Sequence, residues 1–286
     1  MESENSRQDK EDDEASYIAL GDLMNRFTKP IVSSAIKALG LKTGSRGLDA
    51  GCGIGNHTLW LAEAVSPNGH VTGIDISDEA LSIAKEKLEK SDLKKQVSFK
   101  FGDIFNLPFE DKTFDWVWSA DVLYLWLMGS KESPINPQVV IKKLTRVVKP
   151  GGILALLFWS SQKLLPGYPL LEAKLNATNA ANFTGPFGIQ PKLHSTRAVG
   201  WFQMAGLKEP KVQNFVAEFQ APFSDEEKEA LIGTFRMFWN KAKPEVSDDV
   251  WSEYKRLCSS KSSDFILNLP DYHGYIVYSL FYAFVE

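Results

Sequence analysis

The stretch Leu48-Asp49-Ala50-Gly51-Cys52-Gly53-Ile54-Gly55-Asn56 decides the fold. It reads as the end of a buried strand, a glycine turn and the start of a helix running from about Asn56 to Ala64. Glycine lets the backbone turn sharply and approach a ligand with no Cβ in the way. The first turn of the following helix aims unpaired N–H groups at the same point. This order of elements describes a nucleotide site in a doubly wound α/β domain. Asp49, just before the loop, restricts the nucleotide. A pyrophosphate placed here would be repelled by a carboxylate, whereas a ligand carrying a sulfonium and an ammonium would be attracted.

The spacing supports that restriction. The dinucleotide fingerprint asks for a third Gly or Ala at its sixth position. Counted from Gly51, that position holds Asn56. The pattern Asp-x-Gly-x-Gly-x-Gly resembles motif I of the class I S-adenosylmethionine (SAM)-dependent methyltransferases. A strand-to-helix turn without a ligand is the plain alternative, and the motifs that follow along the chain weigh against it.

The chain has 286 residues, a length that fits one large α/β domain or a domain with a substantial insertion. The net charge of -4 gives no electrostatic footprint for nucleic acid. Two cysteines, Cys52 and Cys258, make neither a disulfide framework nor a zinc site, and no metal is expected. The polar, acidic start of the chain lacks the basic and apolar regions of a secretory signal and reads as a disordered tail over 1–15. The apolar runs Ile153–Trp159 and Tyr275–Val285 are too short to span a bilayer. A soluble cytoplasmic protein is the expectation.

Residues 16–45 have helical character, with a break expected near Lys29-Pro30. Five strands are expected at Arg46–Ala50, His70–Ile74, Val97–Phe101, Thr113–Ser119 and Ile153–Phe158. Helices are expected after Ser77-Asp78 and over Pro137–Val148, the latter ended by the breaker cluster Lys149-Pro150-Gly151-Gly152. Alternation of strand and helix means a parallel sheet with right-handed crossovers. The core runs over 46–220. A sixth strand is expected at Pro210–Phe219, a helical insertion over 221–274 and a last strand over 275–286. The insertion and the Gly, Pro and Asn-rich stretch Ser161–Ser195 are candidate lids. The resemblance implies a doubly wound, mostly parallel seven-stranded sheet of order 3-2-1-4-5-7-6, its last strand antiparallel between the fifth and sixth.

Asp75 ends the second strand, twenty positions after Gly55. A carboxylate there accepts hydrogen bonds from both ribose hydroxyls of an adenosine. The resemblance implies that Ile76 packs on the adenine ring. It also sets Asp103 and Ile104 at the adenine edge, and carbonyls of Ser119 and Ala120 at the methionine ammonium. The cofactor-binding set is therefore Asp49, Gly51, Gly53, Gly55, Asn56, Asp75, Ile76, Asp103, Ile104, Ser119 and Ala120, for SAM and its product S-adenosylhomocysteine (SAH). Methyl transfer needs a base only where the nucleophile carries a proton. The candidates are Asp121, Tyr124, His57 and His194, each with a structural rival as N-cap, pocket wall, helix-start residue or exposed side chain.

Ser119-Ala120-Asp121-Val122-Leu123-Tyr124 lacks the Asn- or Asp-Pro-Pro-aromatic run of enzymes that methylate nucleobase or glutamine amides. Asp22-Leu23-Met24-Asn25 is similar to an N-terminal segment of the ubiquinone and menaquinone methyltransferases. Gly21 replaces their tyrosine, so the likeness implies an N-terminal helix over the cofactor and does not specify a quinone. Two cysteines are too few for arsenite methylation. Phe235, Phe238, Trp239, Trp251 and Tyr254 in the insertion read first as helix core and second as the wall of an acceptor pocket. The expected partner is a small apolar or aromatic methyl acceptor. A non-catalytic binding protein of this fold and a nicotinamide oxidoreductase are the alternatives.

Overall fold

A computed structural model describes residues 21–25, 27–123, 136–182 and 190–286. Seven strands form one sheet: β1 Arg46–Ala50, β2 His70–Asp75, β3 Val97–Phe101, β4 Phe114–Ala120, β5 Val148–Lys163, β6 Lys211–Gln220 and β7 His273–Phe284. Their order is β3-β2-β1-β4-β5-β7-β6. The pairings from β3 through β5 are parallel. β7 runs antiparallel to both β5 and β6. The expected order and the antiparallel last strand are both observed.

Strand alternation divides the core into two layers. In β5, Leu154, Leu156 and Phe158 enter one layer, with Val140, Ile141 and Leu144 of α4 (Pro137–Arg146) and Trp201 and Phe202 of α6 (Ala198–Met204). Ala155 and Leu157 enter the other. There they meet Val32 and Ile36 of the helical stretch 27–38, here α1. Leu61 and Val65 of α2 (Asn56–Val65) and the helices between β6 and β7 join them. Those last helices are α7 (Asp225–Trp239) and α8 (Asp248–Cys258). α5 (Pro169–Asn176) follows β5.

The helix starts follow from the sequence. Ser77 caps α3 (Asp78–Glu89) by accepting from the Ala80 N–H at 3.1 Å. Ser224 and Glu227 form a reciprocal capping box on α7. Asn136 caps α4, whose first position is Pro137. α2 differs: Gly55 precedes it in the left-handed region, and no side chain caps it.

Two features differ substantially from expectation. Residues 27–38 are helical through Pro30, so the Lys29-Pro30 break is absent. β5 spans Val148–Lys163, at both ends longer than expected. At its start, Gly151 takes φ +79, so the Lys-Pro-Gly-Gly cluster bends the strand without ending it. At its far end the β5–β7 register slips between Trp159 and Ser161. That irregularity lets β5 continue into a segment expected to be loop.

Candidate active site

The carboxyl ends of β1, β2, β4 and β5 meet the uncapped start of α2 over a cavity of about 670 Å³. In open α/β sheets the crevice at this edge is where ligands bind. Gly51, Gly53, Asn56, Asp75 and Ala120 line it. A smaller hollow is lined by Ile76, Asp103 and Ile104. Gly51, Asp75 and Val122 line both, so the two hollows adjoin.

The loop glycines have different reasons. At Gly51 a Cβ would sit 2.2 Å from Val122 Cγ2, with φ +81 in addition. Gly53 has φ +49 and only open space where its Cβ would be, which leaves bare backbone facing the cavity. Asp75 Oδ2 accepts the Gly53 N–H at 2.7 Å, and Oδ1 accepts the Ser77 N–H at 3.0 Å. The same carboxylate thus shapes the loop and lines the cavity. Asp103 Oδ1 accepts the Phe105 N–H at 2.8 Å, an Asx turn that holds its carboxylate in place. Ile76 is 44% exposed, a large apolar side chain left uncovered beside this hollow.

Asp49, Gly55 and Ser119 lie behind the cavity wall and do not line it. Asp49 is 1% exposed and accepts the Thr58 hydroxyl at 2.7 Å. Burial pushes its carboxyl up to about 7, opposed by the Thr58 hydrogen bond and aided by the charge of Asp75. It acts on the cavity only through its field. The Ser119 hydroxyl donates to the Ala50 carbonyl at 2.7 Å, joining the ends of β4 and β1. Gly55 packs inward, where a Cβ would meet Phe99 Cζ at 2.7 Å.

Asn56 makes a cross-link that its sequence position does not reveal. Its Oδ1 accepts from Lys87 Nζ at 2.8 Å and its Nδ2 donates to Asp22 Oδ1 at 3.2 Å. Lys87 also bonds Asp22 at 2.5 Å. The N-terminal stretch is thereby fixed over the loop, and Gly21, Met24, Asn25 and Thr28 line the cavity.

Of the base candidates, His57, Asp121 and His194 line the cavity. Tyr124 lies outside the described residues. The His57 ring sits 5.2 Å from that of Trp60 and 6.0 Å from that of Trp118. Burial lowers its pKa to about 4, so it is neutral. Burial also lowers that of His194, whose Nδ1 lies 2.9 Å from the Thr196 hydroxyl. Asp121 Oδ1 accepts the Trp159 N–H at 2.8 Å, and Tyr278 is its second hydrogen-bonding partner. Burial raises its carboxyl to about 6 against these two bonds.

Beyond the loop, the cavity wall is partly aromatic. Trp159 and Tyr278 are register partners on β5 and β7, with rings 5.9 Å apart. Phe238 is 5.1 Å from Trp159. Neither Trp159 nor Tyr278 carries a local sequence signal, because an antiparallel strand from the far end of the chain brings them together. Among the five aromatic residues singled out in the insertion, only Phe238 reaches the cavity. Phe235 and Trp239 are fully buried and stacked on each other at 5.7 Å. The Ser161–Ser195 stretch contributes more, including Gln162, Asn176 and Asn182. Trp159 Nε1 donates to Gln162 at 2.7 Å, and Gln162 donates to Asn176 at 3.2 Å. The wall is therefore amphipathic, with fewer apolar groups than the sequence led us to expect. Among the described residues, no cluster of three or more His, Cys, Asp or Glu is placed to hold a metal. No helix among them is long and apolar enough to cross a membrane.

The family model described as methyltransferase domain matches residues 41–206. The demethylmenaquinone methyltransferase of Staphylococcus aureus is 38% identical over 138 residues, which are 48% of this chain and 52% of that protein. The match thus spans about half the length of the curated relative. Among solved structures, the YcgJ protein of Bacillus subtilis superposes with a TM-score of 0.52 at 18% identity, covering 90% of this chain and 98% of the other. A Haloferax volcanii protein, solved as a complex of a methyltransferase with the Trm112 methyltransferase activator, gives 0.54 at 16% identity and 95% coverage of both chains. At these identities the structural likeness establishes the fold.

Proposed function

The chain belongs to the class I SAM-dependent methyltransferases through the domain at residues 41–206, and on that premise we propose that it methylates a small acceptor with an aromatic, quinone-like body. The observation that carries this reading is the adjoining pair of hollows. One is rimmed by Asp75, Ile76, Asp103 and Ile104, and the other is walled by Trp159, Phe238 and Tyr278. Gly51, Asp75 and Val122 form the floor common to both. The residues present fit SAM: bare backbone at Gly53, an uncapped helix start, a strand-end carboxylate, and an uncovered Ile76 where a flat ring would lie.

The bound sulfonium supplies an already activated methyl group. The protein's task is then to align a nucleophile behind it and to exclude water. Asp75 holds ribose hydroxyls while keeping the Gly53 N–H in place. Asp103 and the Ile104 N–H read the adenine edge. The carbonyl of Ala120 takes the ammonium, and the buried Asp49, in its ionised form, adds negative potential behind the loop. The aromatic wall supports the acceptor reading, as does the likeness to the Staphylococcus aureus demethylmenaquinone methyltransferase, which covers about half of that protein. A cytoplasmic location is part of the same proposal.

Calorimetric titration with SAH, with NAD as control, tests the cofactor. Micromolar binding of SAH alone is expected. Binding of NAD alone would turn the reading to an oxidoreductase. SAH binding without methylation of any acceptor by labelled SAM would turn it to a non-catalytic member of the fold.

A further inference from the structure

The cavity places one carboxylate among its aromatic walls, and the backbone there is unusual. Asp121 follows the last residue of β4 and takes φ +56, a left-handed conformation uncommon outside glycine. Its N–H still pairs with the Leu157 carbonyl at 2.9 Å, so the β4–β5 ladder runs one residue further. The left-handed turn then leaves Oδ1 on the Trp159 N–H at 2.8 Å. The Tyr278 hydroxyl is the second partner. Three adjacent strands, β4, β5 and β7, thus each give one residue to the same point.

We propose that Asp121 is the proton acceptor of the reaction. It takes the hydroxyl proton of a phenol- or hydroquinone-type acceptor lying against Trp159 and Phe238, with Tyr278 and the Trp159 N–H positioning the carboxylate. The inference rests on the methyltransferase reading above and adds to it the chemical class of the accepting group.

A carboxylate offers about four lone-pair positions, so these two bonds leave room for a hydroxyl from the cavity. The other titratable groups lining the cavity are less suited, the Cys52 thiol because burial holds its proton in place. His57, on α2, is hemmed between Trp60 and Trp118. Asp75, on β2, is assigned above to the ribose hydroxyls, beside the two backbone N–H groups that it already holds. His194 is engaged by Thr196. Lys163, on β5, carries an ammonium that can only donate. Burial lifts the Asp121 carboxyl to about 6, closer to neutrality than an ordinary aspartate and better matched to a general base.

The step balances as follows. The acceptor's O–H proton passes to Asp121. The oxygen, or the ring carbon ortho to it, forms the new bond to the methyl carbon. The carbon–sulfur bond breaks with its electron pair going to sulfur. On the carbon route, the ring then loses its C–H proton and the oxygen takes a proton back from Asp121 as aromaticity returns. Either route releases one proton in total, so the same residue serves both.

The test uses the full chain, labelled SAM, and hydroquinone, catechol and 1,4-dimethoxybenzene as probes. We expect the two hydroxyl-bearing probes to be methylated and the dimethoxy compound not. Asp121→Asn should lower kcat by about 100-fold or more, the range for loss of a general base. Its SAH affinity should stay within about threefold of wild type, because the proposed SAM contacts come from other side chains and from backbone. The wild-type kcat/KM should rise with pH through an inflection near 6, missing from the residual activity of Asp121→Asn. Tyr278→Phe removes a bond that favours the carboxylate and should move that inflection to higher pH. Product mass and fragmentation assign oxygen or carbon. Full activity in Asp121→Asn, the same inflection in its profile, or no methylation of either hydroxyl probe by an enzyme that binds SAH overturns the proposal. Failure of the wild type to bind SAH removes the methyltransferase reading as well, which separates the two failures.

Discussion

Asp75 holds the cofactor loop and faces the cavity with one and the same carboxylate. Asp75→Ala is therefore expected to weaken SAH binding by about 1–3 kcal/mol, the scale of lost charge-assisted hydrogen bonds. Calorimetry on a variant with wild-type circular dichroism would measure it. Unchanged affinity would mean that the ribose lies elsewhere. At this scale, legibility depended on whether a residue acts through its neighbours in the chain. Gly51, Gly53 and Asp75 work within one strand–loop–helix–strand unit, β1 through β2, so their spacing announces them. Asp49 has the spacing too, but its burial behind Thr58 is a tertiary fact that no spacing encodes. Trp159 and Tyr278 meet only because β7 lies beside β5, 119 positions separating them.

α7 shows how one helix serves two masters by its faces. Phe235 and Trp239 point into the core, and Phe238 turns toward the cavity. Phe235→Ala should cost about 3–5 kcal/mol of stability, read from urea unfolding, and leave acceptor KM unaffected at temperatures where the variant is folded. Phe238→Ala should raise the acceptor KM. If the two variants exchanged these phenotypes, the facing of the helix would be wrong. The capping box at its start gives a smaller check. Ser224→Ala is expected to cost about 1 kcal/mol, and no loss of stability would show that the cap is not formed in solution. Most elements were legible because their periodicity is local. The continuation of β5 to Lys163 was not, since a register slip beside β7 sustains it through a polar Ser-Ser-Gln-Lys segment.

For the molecule as a whole, buried titratable groups set opposing dependences on pH. Asp49 and Asp121 have folded-state values near 7 and 6, above the ordinary 3.8. The unfolded chain loses those protons first, so stability falls as pH rises from about 4 toward 7. His57 is lowered to about 4 from 6.5. The unfolded chain takes up that proton first as pH falls, so this residue makes stability rise over the same window. His57→Gln removes the second slope. Its urea midpoint is expected to drop more steeply than that of the wild type between about pH 4.5 and 6.5. Parallel curves for the two proteins would show that the imidazole is free to charge in the native state. The sheet order has its own consequence for biosynthesis. The strand that separates β5 from β6 is the last of the seven in chain order. A ribosome therefore extrudes both of its neighbours while the place between them is vacant. Until translation passes residue 284, β5 and β6 each offer a bare edge to other nascent chains, and chaperone cover during that interval belongs to the cost of this topology.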